Sequence, residues 1–158
     1  MNCSFRRAEK KDFSRINELF EEMLETIYQT DKVAGYPEGA LDRFFAGKDE
    51  WISIATDKGQ IVAFLSIEVH HEAEEFIYLD DFSVTQQYRN RGIGKTMIHI
   101  AESYAKEIHI PVIRLHVEKS NAAAMRLYER LGYHVHEDQE SRYLMVKTIP
   151  TARKEKNI

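Results

Sequence analysis

Residues 89–96 read RNRGIGKT, and the types and spacing suit one kind of chemistry, the cradling of phosphate. The closing GKT is the end of the nucleotide-binding pattern GxxxxGK(S/T), in which the lysine reaches phosphates and the hydroxyl reaches magnesium. Counting back five from Gly94 lands on Arg89, where that pattern needs a glycine to turn the loop tightly with its amides inward. The ATP reading therefore fails at its first position. A different cradle survives. Gly92 and Gly94 put no side chain in a ligand's way, Arg89, Arg91 and Lys95 add positive charge, and the stretch opens a long helix whose free amides and dipole favour an anion. These features suit a diphosphate. A plain strand-to-helix turn with a solvated basic face is the competing reading.

Three further groups carry chemistry. Asp80 and Asp81 lie in FIYLDDFSV, and strand alternation sends their carboxylates to opposite faces. Tyr128 lies seven residues after Asn121, about two turns along one helix face. A phenol with an ordinary pKa of about 10 is a proton donor, although the neighbours Met125 and Leu131 also suit a core tyrosine. Asn121 suits a helix N-cap. His70 and His71 adjoin an acidic loop, and His134 and His136 share a strand face. Two ligands are too few for zinc, so no metal is expected, and His71 is an outside candidate for a base.

The elements that must position these groups follow from periodicity. SFRRA (4–8) suits a short strand. Residues 12–29 place Phe13, Ile16, Phe20, Met23, Leu24 and Ile27 at helical spacing, with Asp12 placed to cap the start. YPEGALDRFF holds a short helix or loop. WISIA (51–55) and IVAFLSIEV (61–69) read as strands joined by the turn DKGQ, with Gly59 supplying positive φ. FIYLDDFSV (76–84) is a strand, and RGIGKTMIHIAESYAKEIH (91–109) is a helix. PVIRLHV (111–117) is a strand and NAAAMRLYERLG (121–132) a helix stopped by Gly132. YHVHE and RYLMVKTI close as two strands. A meander followed by a crossover implies an α/β fold with a mixed, mostly antiparallel sheet and helices on both faces. One domain over 1–150 and a polar tail at 151–158 are expected.

RxxGxG after a strand ending FSV, followed by Asn121, Tyr128 and Gly132 at the spacing N-x6-Y-x3-G, resembles the GNAT superfamily of acyl-CoA-dependent N-acyltransferases. The resemblance covers about residues 50–148 and is only suggestive before that. Asn90 and Arg91 stand where many members carry a smaller residue, a change that amide binding should tolerate. The resemblance implies that acetyl-CoA is the cosubstrate, with its pyrophosphate on residues Arg89, Asn90, Arg91, Gly92, Ile93, Gly94, Lys95 and Thr96. It further implies that the backbone of Phe82, Ser83 and Val84 pairs with pantetheine, that Asn121 lies near the cofactor, and that Tyr128 protonates the departing thiolate. IYLDDFSV with YRNRGIG is also similar to spermidine/spermine acetyltransferases, which makes Asp80 the implied base, directly or through water. A CoA-binding module without catalysis is the alternative.

Bulk properties narrow the partners. A net charge of −4 argues against nucleic acid. No run approaches the ~18 apolar residues of a membrane span. The N-terminus shows no apolar signal stretch, and Cys3 as sole cysteine excludes an internal disulfide, so a soluble cytoplasmic protein is expected. Segment 68–81 carries Glu68, Glu72, Glu74, Glu75, Asp80 and Asp81 without Lys or Arg. At the rim of an acceptor cleft it would favour a cationic amine, small or peptidic; otherwise it is a solvated loop. A homodimer is expected from the resemblance alone.

Overall fold

A computed structural model describes residues 2–151; the expected tail, apart from Thr151, lies outside the described residues. The elements run β1 (Ser4–Arg7), α1 (Phe13–Tyr28), β2 (Trp51–Asp57), β3 (Gln60–His70), β4 (Phe76–Val84), α2 (Ile93–Glu107), β5 (Val112–Glu118), α3 (Ala122–Arg130), β6 (His134–Gln139) and β7 (Arg142–Thr148). Short 3-10 turns occupy Lys10–Asp12, Asp42–Phe45 and Gln86–Tyr88. The seven strands take the order β1-β2-β3-β4-β5-β7-β6. β4 and β5 run parallel, whereas β1–β2, β2–β3, β5–β7 and β6–β7 pair antiparallel. This is the mixed, mostly antiparallel α/β arrangement expected from the sequence.

Local chemistry sets the boundaries. The β2–β3 turn places both Lys58 (φ 52°) and Gly59 (φ 78°) in the left-handed region, as the twist of a two-residue hairpin demands. β5 begins at Val112, one residue later than expected, because Pro111 has no amide to donate to a ladder. α2 begins at Ile93 rather than Arg91, since Gly92 sits at φ 80°, outside the helical region.

Asp12 corrects a sequence expectation. It occupies the N-cap position of α1 but makes no side-chain cap bond. Its carboxylate instead accepts two hydrogen bonds from the Arg6 guanidinium (2.8 and 3.0 Å) and one from the Glu9 amide (2.8 Å). Bidentate bonds to a cation outweigh a neutral amide. Arg6 holds the Asp12 carboxyl below its ordinary pKa, against the opposing effect of burial. A folded pKa below the unfolded value stabilises above the unfolded value and is lost as pH falls through the folded one. Wild type is therefore expected to lose stability more steeply than Asp12→Asn below about pH 4, measured by denaturant unfolding across pH. Equal slopes would remove Asp12 from the acid response.

The described chain divides into two compact units, residues 2–67 with 81–97, and residues 68–80 with 98–151. In the first, Ile16 and Leu19 of α1 pack in one cluster with Ile52, Ile54 and Phe64 of the β2–β3 hairpin, all fully buried. Each such side chain contributes about 1.5–3 kcal/mol through burial. In the second unit, a buried carboxylate ties three elements together. Glu102 of α2 accepts from the Tyr133 hydroxyl (3.0 Å) and from Lys147 Nζ of β7 (3.1 Å), and Lys147 also donates to the Leu131 carbonyl (2.6 Å). This clasp fixes the end of α3 just beyond Tyr128.

Candidate active site

The first unit contains the candidate anion loop. Thr96 donates both its amide and its hydroxyl to the Gly92 carbonyl, each at 3.1 Å. The amides of Gly92, Ile93, Gly94 and Lys95 precede that first helical bond and have no partner within the helix. Ile93 is buried, so its side chain anchors the turn. A Cβ built on Gly92 would meet nothing within 4 Å, and at φ 80° the position strongly favours glycine. The positive end of α2 and the open space beside Gly92 are features that can receive an anion.

The strand leading into the loop is partly engaged. The Ser83 hydroxyl donates to the Leu19 carbonyl (3.2 Å), so that side chain serves the core. The Val84 carbonyl accepts from Arg89 Nε (2.9 Å), and the Thr85 amide donates to the Val62 carbonyl (2.9 Å). The turn is fastened further by Tyr88, whose hydroxyl donates to Asp57 (2.7 Å), with Arg91 over its ring at 5.4 Å. Hydrogen bonding to Asp57 raises the Tyr88 phenol pKa. Asp81 also belongs to this unit and accepts from the Tyr36 hydroxyl at 2.5 Å.

The second unit holds Asp80, Asn121 and Tyr128. Asn121 is the N-cap of α3, with its side-chain oxygen accepting the Ala124 amide (3.1 Å), so the capping reading holds. Tyr128 is 8% exposed and packs edge-on against Tyr133, with ring centroids 6.1 Å apart. Burial pushes its phenol well above the ordinary value. It therefore carries its proton throughout the neutral range, the starting state a general acid requires. Asp80 is exposed on β4, on the face opposite Ile77 and Leu79. The β4–β5 ladder pairs Ile77 with Ile113, Tyr78 with Arg114 and Leu79 with Leu115, and stops before Asp80 and His116.

Just there lies a pair that the sequence reading missed. The Tyr78 hydroxyl is 2.5 Å from His116 Nδ1, and His116 Nε2 is 2.9 Å from Gln139 Oε1. A carbonyl oxygen at Nε2 requires a donor there, which leaves Nδ1 as the acceptor for the phenol. Burial, then the Arg142 charge, lowers the His116 pKa, so the imidazole is neutral near pH 7. Alternation along PVIRLHV put His116 on the face of Arg114, but nothing local in either strand gave their parallel register.

The acidic segment is less available than its composition implies. Glu68 is bonded to His70 (3.0 Å), Glu75 to His71 (2.7 Å) and Glu74 to Arg114 (3.2 Å). No group of three or more metal-ligating side chains occurs among the described residues. No helix among them is long and apolar enough to cross a membrane.

The mixed seven-stranded sheet with its α/β order is the fold of a recognisable class of acyl-transfer enzyme. The chain belongs to the acetyltransferase (GNAT) family, whose model matches residues 17–133, and it is by class an acetyl-CoA-dependent N-acetyltransferase. An uncharacterized N-acetyltransferase of Methanocaldococcus jannaschii is 27% identical, covering 94% of this chain and 93% of its own. The spermine/spermidine N(1)-acetyltransferase of Bacillus subtilis is 30% identical over 48% of this chain and 54% of its own. The PaiA N-acetyltransferase of Thermoplasma acidophilum, solved in complex with coenzyme A, shares the fold at TM-score 0.77 and 19% identity, covering 94% of this chain and 99% of that one.

Proposed function

We propose that the protein transfers the acetyl group of acetyl-CoA directly to a primary amine, with Tyr128 as general acid and Asp80 as general base. The observation that carries the reading is the row of amides at the start of α2 under an open glycine at φ 80°. The coenzyme complex of the Thermoplasma protein supports it. Arg91 and Lys95 lend charge beside the pyrophosphate, and the backbone of Phe82–Val84 serves pantetheine. Asn121 caps the helix that carries the acid.

An alkyl ammonium with a pKa of about 10 must lose a proton before it can attack. Asp80 accepts that proton, directly or through one water. The neutral nitrogen attacks the thioester carbonyl, the carbon–sulfur bond breaks, and the Tyr128 hydroxyl donates its proton to the departing thiolate; the nitrogen's second proton restores Tyr128, and Asp80 returns its own to solvent. Overall an ammonium and a thioester give an amide, a thiol and one released proton. A cationic acceptor remains the preferred class, although Glu68, Glu74 and Glu75 are already paired. The single cysteine suits a reducing, cytoplasmic setting.

A second reading of the base is favoured by one observation, the 2.5 Å contact of Tyr78 with a neutral His116. In it, Tyr78 takes the ammonium proton as it passes its own to Nδ1. The pH–rate profile separates the two. Asp80→Asn is expected to depress kcat/KM most at neutral pH and less near pH 10, where more amine is already neutral, with Asp81→Asn as control. If Asp80→Asn leaves the profile unchanged and His116→Gln moves it, the base is the Tyr78–His116 pair.

A further inference from the structure

The turn that leads into the anion seat is fastened to α1 by a single carboxylate. Glu22 lies in the third turn of that helix. Its oxygens accept the Thr85 hydroxyl at 2.9 and 3.2 Å and the Gln86 amide at 3.1 Å. One of them also lies 3.7 Å from an Arg89 terminal nitrogen. Arg89 Nε meanwhile donates to the Val84 carbonyl at 2.9 Å. The guanidinium thus links the end of β4 to α1 before the glycines begin. Three residues earlier on α1, the Leu19 carbonyl receives the Ser83 hydroxyl. Two successive turns of α1 therefore receive Ser83, Thr85, Gln86 and Arg89.

We propose that Glu22 is a positioning residue for the cofactor loop, and that Arg89 braces the turn instead of gripping phosphate; this rests on the reading of residues 89–95 as the pyrophosphate site. Amides bind an anion well only when they already point at it, because ordering a loose loop on binding subtracts from affinity. Glu22 supplies that order from a rigid helix. Its neighbour Arg89 has Nε committed to the Val84 carbonyl and a terminal nitrogen drawn toward Glu22, which turns the guanidinium to the brace. The ion pair itself is about one-third exposed on both sides and contributes little to stability.

The experiment is calorimetric titration of the full chain with coenzyme A, using Glu22→Ala, Glu22→Gln, Arg89→Met, the double variant Glu22→Ala/Arg89→Met, and Gly92→Glu. Glu22→Ala and Arg89→Met are each expected to weaken binding about tenfold, and the double variant scarcely more, because both break one brace. Glu22→Gln keeps an oxygen for Thr85 and Gln86 and is expected to stay within about threefold of wild type. Should Glu22→Ala be poorly folded, Arg89→Met and Glu22→Gln carry the test. Wild-type affinity in Glu22→Ala or Arg89→Met, or fully additive losses, overturns the brace while Gly92→Glu still abolishes binding. If Gly92→Glu binds normally, the pyrophosphate reading has failed and the brace falls with it.

Discussion

Replacing Tyr128 with phenylalanine is expected to lower kcat by about a hundredfold while CoA affinity stays within about threefold. The substitution keeps the buried ring and its edge-on packing against Tyr133 and removes only the oxygen and its proton. The fold should tolerate it, because the clasp of Glu102, Tyr133 and Lys147 holds the end of α3 independently of the Tyr128 hydroxyl. What is lost acts only as the thiolate leaves, so kcat and kcat/KM should fall together. The raised phenol pKa adds a second expectation. A group shifted upward keeps its proton to higher pH, so the wild-type rate should not decline through Tyr128 ionisation anywhere near neutrality. Steady-state kinetics from pH 6 to 10 check both points. Wild-type turnover in Tyr128→Phe would make Tyr128 a core residue and leave water to protonate the thiolate.

Gly92→Glu carries the other large effect, a loss of CoA affinity of about a hundredfold. Two unit charges about 5 Å apart repel by roughly 1–3 kcal/mol at effective dielectrics between water and a protein surface, and a pyrophosphate presents more than one. A Cβ at Gly92 meets nothing within 4 Å, so the first atom of the new side chain clashes with no protein atom. The left-handed φ costs stability, of order 1–3 kcal/mol for any L residue. Gly92→Ala shares that strain without the charge and separates the causes. If both variants bind alike, strain is the explanation; if Gly92→Glu alone fails, the anion seat is.

How much of this was legible in the sequence depended on the range of the information. β4 was read to the residue because FIYLDDFSV is a continuous strand-forming run, and Asn121 was read as a cap because capping is decided within three residues. The start of α2 was read two residues early, since apolar periodicity does not reveal that Gly92 takes a left-handed φ. Asp12 looked like a cap because its partner Arg6 sits on a strand whose approach no local pattern encodes. The same limit hid the two long-range features of the site. Glu22 reaches Thr85 and Gln86 across more than sixty residues, and Tyr78 meets His116 through a parallel register set by the crossover between β4 and β5. The pairings within the acidic run 68–81 were likewise not legible from its composition. Three of its carboxylates meet His70, His71 and Arg114, contacts that a count of charges along the chain does not reveal.

The account stands or falls on acetyl transfer to an amine at the α2 seat. The most direct measurement is CoA thiol release from acetyl-CoA with a panel of polyamines, aminoglycosides, amino acids and peptides, with mass spectrometry of each acceptor. The account expects thiol release matched by a 1:1 gain of one acetyl group on an acceptor amine, strongest with a cationic acceptor and lost in Gly92→Glu. Tight acetyl-CoA binding without an acetylated product from any acceptor would contradict it and make the chain a CoA-responsive binding module.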